Sequence, residues 1–141
     1  MVINDGGRSL SGYKGSAGDC ATRSIAIITG KSYQEVYDAI NQFAMSEKRG
    51  KRKRSISNAR TGVYKQTVHK YLLSIGMKWT PTMFVGSGCN VHLNSEELPQ
   101  GRLIVRVSKH YTAVIDGIIH DTFDPSRNGT RCVYGYWKLE V

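Results

Sequence analysis

Three residue types in this chain, a cysteine, a histidine and a carboxylate, can be combined into acyl-transfer chemistry. Cys20 follows Gly18-Asp19 and opens a run in which Ala21, Ile25 and Ile28 fall at i, i+4 and i+7, the spacing of one helix face. A thiol in the first turn of a helix faces unpaired backbone N–H groups and the positive end of the helix dipole, and both favour the reactive thiolate. The same N–H groups can hold an oxyanion. Asp19 opposes the thiolate, but Arg23 sits one turn on and is placed to neutralise it.

His110 and the carboxylates lie far downstream, in the stretch Lys109 to Pro125. Two apolar β-branched runs, Thr112 to Ile115 and Ile118 to Ile119, flank Asp116-Gly117, the dipeptide of a tight type I′ hairpin turn. A histidine on one rail and a carboxylate on the other is a common way to hold a general base and its orienting partner. With a two-residue turn, Ile115 pairs with Ile118, and His110, Thr112, Asp121 and Phe123 share one face. A bulged turn adds one residue and brings Asp124 opposite His110 instead. Turn statistics favour Asp121. His120 alternates to the other face, where it packs or meets solvent.

The elements that must position these groups are legible from period and caps. Residues 1–18 carry five glycines without sustained periodicity and read as an extended lead-in that wraps the surface. The Cys20 helix, capped by Asp19 or Ser16, ends at Gly30. Ser32 to Glu35 is a capping box, predicting a second helix to about Met45 with Val36, Tyr37, Ile40, Phe43 and Ala44 inward. A third helix is predicted from Tyr64, Val68, Tyr71, Leu72 and Ile75, stopping at Gly76, with His69 on its polar side. Beyond Trp79 the period shortens. Thr82 to Val85, Asn90 to Leu93, Leu103 to Val107, the hairpin and Arg131 to Trp137 read as strands. The layout is α+β, with N-terminal helices packed on a C-terminal antiparallel sheet in a single domain spanning 1–141.

The chain has 141 residues, a net charge of +9 and 40% apolar residues, a composition that excludes disorder as the general state. No apolar run approaches a membrane span, and the N-terminus lacks a signal peptide's apolar core; the expectation is a soluble, cytoplasmic protein with no membrane partner. Seven of the twenty cations are Lys48, Arg49, Lys51, Arg52, Lys53, Arg54 and Arg60, and removing those seven from the net +9 leaves +2. The basicity is therefore one local segment. Residues 46–60 read as a mobile solvated loop that could recruit nucleic acid or an acidic partner, without a base-reading scaffold beside it. Three cysteines, Cys20, Cys89 and Cys132, are an odd number at wide spacing, which argues against a disulfide framework. Cys132 reads as core or edge packing. Cys89-x-x-His92 is half of a zinc site without a second pair, so no metal or other cofactor is expected.

A cysteine on an N-terminal helix followed by a histidine and an aspartate on a later hairpin is the papain-like arrangement. Asp19-Cys20 to Gly30 resembles the nucleophile helix of the bacteriocin-processing (C39-type) branch of those peptidases. Gly101 to Val107 and His110 to Gly117 resemble the strand pair carrying that family's histidine, and Asp124-Pro125 resembles its Asp-Pro. As a whole the chain is similar to small papain-like proteins of phage and bacterial genomes, for which the location would be the host cytoplasm if phage-encoded. The resemblance covers residues 16–30 and 100–125. It implies a thiol peptidase or isopeptidase acting on a peptide or protein, with Cys20 as nucleophile, His110 as base and Asp121 or Asp124 as orienter. The family carries a glutamine six residues before the nucleophile as an oxyanion donor, and this chain has Lys14 there. Lys14 itself, Ser16 and Asn4 are the substitutes available. The rival expectation is an inactive papain-like shell that binds nucleic acid or an acidic partner through residues 46–60.

Overall fold

The computed structural model describes residues 1–10, 12, 19–45, 65–84 and 86–139. In chain order these form β1 (Val2–Ile3), α1 (Cys20–Thr29), α2 (Tyr33–Ala44), α3 (Lys65–Ser74), β2 (Lys78–Pro81), β3 (Arg102–Val107), β4 (His110–Ile115), β5 (Ile118–Asp121) and β6 (Gly135–Lys138). The caps act as their residue types dictate. Gly30 ends α1 in the left-handed region at φ 75°, and the Ser32 hydroxyl accepts the Glu35 N–H at 3.1 Å to start α2.

The strands form one six-stranded sheet ordered β1-β5-β4-β3-β6-β2. Five of its strands are antiparallel neighbours, but β1 pairs with β5 in parallel, Val2 with His120 and Ile3 with Asp121. The sheet is therefore mixed rather than antiparallel, and its first strand precedes the helices. Almost the whole chain separates β1 from β5, so no hairpin fixes their relative direction. Two residues are also too few to show a period.

The central strands are apolar on both sides because both faces are covered. On one face Ile104, Tyr111, Ala113 and Trp137 pack with Ile25, Ile28, Val36, Ile40, Val68 and Leu72 of the helices. On the other, Leu103, Val105, Val107 and Val114 meet Leu93, Leu98 and Val133. Helix α1 is buried along most of its length, including the polar side chains of Thr22, Arg23 and Ser24. Arg102 fastens its C-terminal end by donating to the carbonyls of Ile27 and Ile28, each at 2.8 Å.

Three local expectations are corrected. The strand predicted over Thr82 to Val85 lies earlier, at β2, where Trp79 pairs with Trp137 at a ring separation of 5.3 Å; burying that aromatic pair selects the register. Asn90 to Leu93 is reduced to one bridge, His92 to Cys132, because its residues cover the second face instead of extending the sheet. His69 is half-buried and not wholly at the surface, its ring packed edge-on against Trp137 at 4.7 Å. Among the described residues no helix is long and apolar enough to cross a membrane.

Candidate active site

The hairpin turn is the two-residue form. Asp116 and Gly117 have φ of 49° and 81°, and the ladder pairs Ile115 with Ile118, Val114 with Ile119 and Ala113 with His120. One step further along the ladder, Thr112 and Asp121 come side by side, and the Thr112 hydroxyl donates to Asp121 Oδ2 at 2.7 Å. His110, two residues before Thr112 and so on the same face, reaches the same oxygen, with Nε2 to Oδ2 at 2.8 Å. Asp121 Oδ1 accepts the backbone N–H of Thr122 at 2.7 Å. Burial works to raise the Asp121 carboxyl, but the bonds from His110, Thr112 and Thr122 outweigh it and hold it below the usual carboxylate range.

Asp121 occupies both its oxygens and Nε2 of the ring, which leaves Nδ1 of His110 for the sulfur of Cys20. Cys20 lies near enough to the ring and to the Tyr111 N–H for each to lower its thiol, and the thiol in turn raises the imidazole. Burial works to raise the Cys20 thiol. The hydrogen bond and charge of His110, the Tyr111 N–H and the nearby charge of Arg23 together bring it below its ordinary 9.0. For His110, burial works to lower the imidazole, while Asp121 and Cys20 more than reverse this and lift it from 6.5 to about 9. Both shifts run towards the thiolate and imidazolium forms, the direction that favours a cysteine nucleophile. Phe123 lies against the ring at 5.2 Å and shields one side of it.

The start of α1 is held from beneath. Asp19 is its N-cap residue but makes no capping bond. Its carboxylate turns inward, fully buried, to Arg8 at 3.2 Å, to Arg23 and to the Tyr33 hydroxyl at 2.8 Å. Asp19 thus places no side-chain cap on the first turn of α1, and its charge is compensated where it could oppose the thiolate. Arg23 reaches further than the sequence suggests. Its second nitrogen lies 3.5 Å from Asp121 Oδ1, so one buried guanidinium joins the nucleophile's helix to the histidine's carboxylate. Gly6 locks the lead-in against this helix: at φ +68°, a Cβ there would stand 2.8 Å from the Arg23 carbonyl oxygen.

The remaining candidates are placed elsewhere. Asp124 is exposed and caps its own loop, accepting the Ser126 N–H at 2.9 Å; it does not meet His110. Asn4 commits its side-chain oxygen to the Gly6 N–H at 2.8 Å, while its own N–H donates to the Asp121 carbonyl. Lys14, Ser16 and the basic segment with Lys48, Arg49, Lys51, Arg52, Lys53, Arg54 and Arg60 lie outside the described residues. His120 is half-exposed, and burial together with Arg102 lowers its pKa.

The cysteine reading needs correction. Cys89 and Cys132 form a disulfide with Cα atoms 5.8 Å apart, leaving Cys20 as the free thiol. Wide sequence spacing does not bear on pairing once the 89–92 segment folds back along 131–133, as the His92–Cys132 bridge shows. A disulfide sulfur cannot serve as a zinc ligand, and His92 pairs instead with Glu97 at 3.1 Å. Among the described residues no group of three or more His, Cys, Asp or Glu side chains is placed to hold a metal ion.

Sequence reasoning did not find Arg8, Tyr33 and Thr112 as supports. Only Thr112, on the same face as His110 and Asp121, gave a readable signal. Set against family models, curated proteins and solved structures, the chain matches none of them.

Proposed function

We propose that this chain is a small papain-like thiol hydrolase acting on peptide or isopeptide bonds. The observation that carries this reading is the relay in which Asp121 holds His110 Nε2 at 2.8 Å and the ring meets the free thiol of Cys20 at the start of α1. The Cys20 sulfur attacks the substrate carbonyl carbon, and the oxyanion that forms lies over the N–H groups of the first helical turn. His110 gives its proton to the leaving nitrogen as the C–N bond breaks. A water then attacks the thioester, delivers its proton to His110 and releases the acid, restoring the thiol pair. Asp121 stays ionised and keeps the ring oriented.

The test is labelling by a peptide-based electrophile directed at thiols. Cys20→Ala and His110→Ala should each abolish labelling while far-UV circular dichroism stays unchanged. Labelling that persists in Cys20→Ala would end the proposal.

A further inference from the structure

Antiparallel partners share a face, so the pairings Tyr111–Arg106, Arg106–Gly135 and Gly135–Pro81 place four residues in one row across β4, β3, β6 and β2. The row begins beside Cys20, whose thiol the Tyr111 N–H helps to lower. It lies on the helix-covered face, where Ile104 and Trp137 form the adjacent row. At its far end a pocket of about 340 Å³ opens between Trp79, Met83, Phe84, Tyr134, Arg106 and Lys65. The six-membered ring of Trp79 covers Gly135, where any Cβ would collide with it. Glycine at that position is what lets the indole lie against the sheet as a pocket wall.

The pocket is apolar on its walls and cationic along one side. Phe84 is 59% exposed and Met83 38%. The Arg106 guanidinium lies 5.3 Å from the centre of the Tyr134 ring. Among the described residues neither Arg106 nor Lys65 belongs to an ion pair. Two cations beside exposed aromatic and thioether surface, with no acidic side chain among the described residues lining the pocket, complement a ligand that is itself apolar and anionic.

We infer that this pocket is the specificity site of the thiol centre and takes a large apolar side chain adjoining a carboxylate. The inference rests on the hydrolase reading for its connection to catalysis. The apolar side chain of the peptide enters between Trp79 and Phe84, and the carboxylate meets Arg106, with Lys65 beyond. The carboxylate belongs either to a neighbouring acidic side chain or to a free C-terminus, which have the same chemistry at Arg106.

Binding to the Cys20→Ala protein tests the pocket without requiring any reaction. Tryptophan fluorescence, with Trp79 in the pocket wall, follows titration with blocked pentapeptides carrying an internal Phe-Glu or Phe-Gln, and with peptides ending in phenylalanine as free acid or amide. The expected result is binding about tenfold tighter for one anionic peptide than for its neutral counterpart. The internal pair and the terminal pair identify which carboxylate is used. Arg106→Gln should remove the preference, Arg106→Lys should retain part of it, and Phe84→Ala should weaken both members of a pair alike. Equal binding within both pairs, or a preference that survives Arg106→Gln, overturns the inference. Iodoacetamide reactivity of Cys20 in the unaltered protein judges the hydrolase reading separately, so failure of one is distinguishable from failure of the other.

Discussion

His110 Nε2 stands 2.8 Å from Asp121 Oδ2, and this contact decides which face of the imidazole is offered to Cys20. Asp121 is also among the groups that lift the imidazole to about 9, and the imidazole in turn lowers the thiol. Iodoacetamide labelling followed against pH should therefore show a reactive limb well below that of an ordinary thiol. At pH 6 a thiol of pKa near 9.0 is only about 0.1% ionised, whereas Cys20 should still alkylate at a measurable rate. In His110→Ala the limb should move upward towards the ordinary value. An unchanged limb would mean that the ring does not set the thiol's charge. Because the two groups interact, the steps observed belong to the pair and not to either residue alone.

The same two shifts oppose each other in stability. His110, raised in the folded state, contributes stability that is complete below about 6.5 and lost as pH rises through about 9. Cys20, lowered in the folded state, contributes stability that is complete above 9.0 and lost as pH falls through its folded value. The two contributions run in opposite directions as pH rises, so the melting temperature of the unaltered chain should vary less between pH 6.5 and 9 than that of Cys20→Ala. In Cys20→Ala the cysteine contribution is gone while Asp121 still raises the ring, so its melting temperature should fall as pH rises above 6.5. Differential scanning calorimetry of both proteins across that range makes the comparison.

Asp121 and Asp124 separate cleanly by mutation. Asp121→Ala removes the group that orients His110 and leaves Thr112 and Arg23 short of a buried partner. Peptide-electrophile labelling should fall by about 10²-fold or more, with a loss of about 1–3 kcal/mol in stability. Asp124→Ala removes an exposed loop cap and should leave labelling within about twofold, the scale of a surface change. Equal losses in the two variants would contradict the geometry.

The helices and the hairpin were readable because local chemistry specifies them. Ser32 and Glu35 mark a helix start whatever surrounds them, and Asp116-Gly117 demands a turn that also carries the register, and with it the choice of Asp121. Long-range pairings left no such trace. Nothing in Val2-Ile3 announces a parallel edge strand beside β5, since its partner is chosen by tertiary placement. Trp79 moved the β2 strand earlier because an aromatic pair is worth more buried against Trp137 than the β-propensity of residues 82–85. Cys89 and Cys132 meet only because the covering loop folds back on itself. Arg23 was read correctly as a neutraliser of Asp19, but its bond to Asp121 joins residues ninety-eight positions apart and has no sequence signature.

Arg23 joins two buried carboxylates, Asp19 and Asp121. Replacing it with methionine keeps the volume and takes one cation from each carboxylate, leaving Arg8 on Asp19 and His110 on Asp121. Removal of one partner from a buried network costs up to about 3–5 kcal/mol, to be read as a lowered denaturation midpoint in urea. Adding Asp19→Asn to Arg23→Met should recover part of the loss, because one under-compensated buried charge is then gone. A double variant no more stable than Arg23→Met alone would mean that the network's value lies in packing, not charge.

The Cys89–Cys132 bridge ties the loop covering the second face of the sheet to the segment leading into β6. In urea without reductant, the oxidised chain should show one titratable thiol, Cys20, and after reduction three. With its ends 43 positions apart in sequence, the bridge removes loop entropy from the unfolded chain worth about 3–4.7 kcal/mol on the chain-entropy scale. Cys89→Ser/Cys132→Ser should lower thermal stability accordingly while leaving Cys20 alkylation at neutral pH unchanged, because the His110–Asp121 hairpin is built on other strands. A loss of Cys20 reactivity in that variant would show that the second face supports the thiol site as well as the sheet.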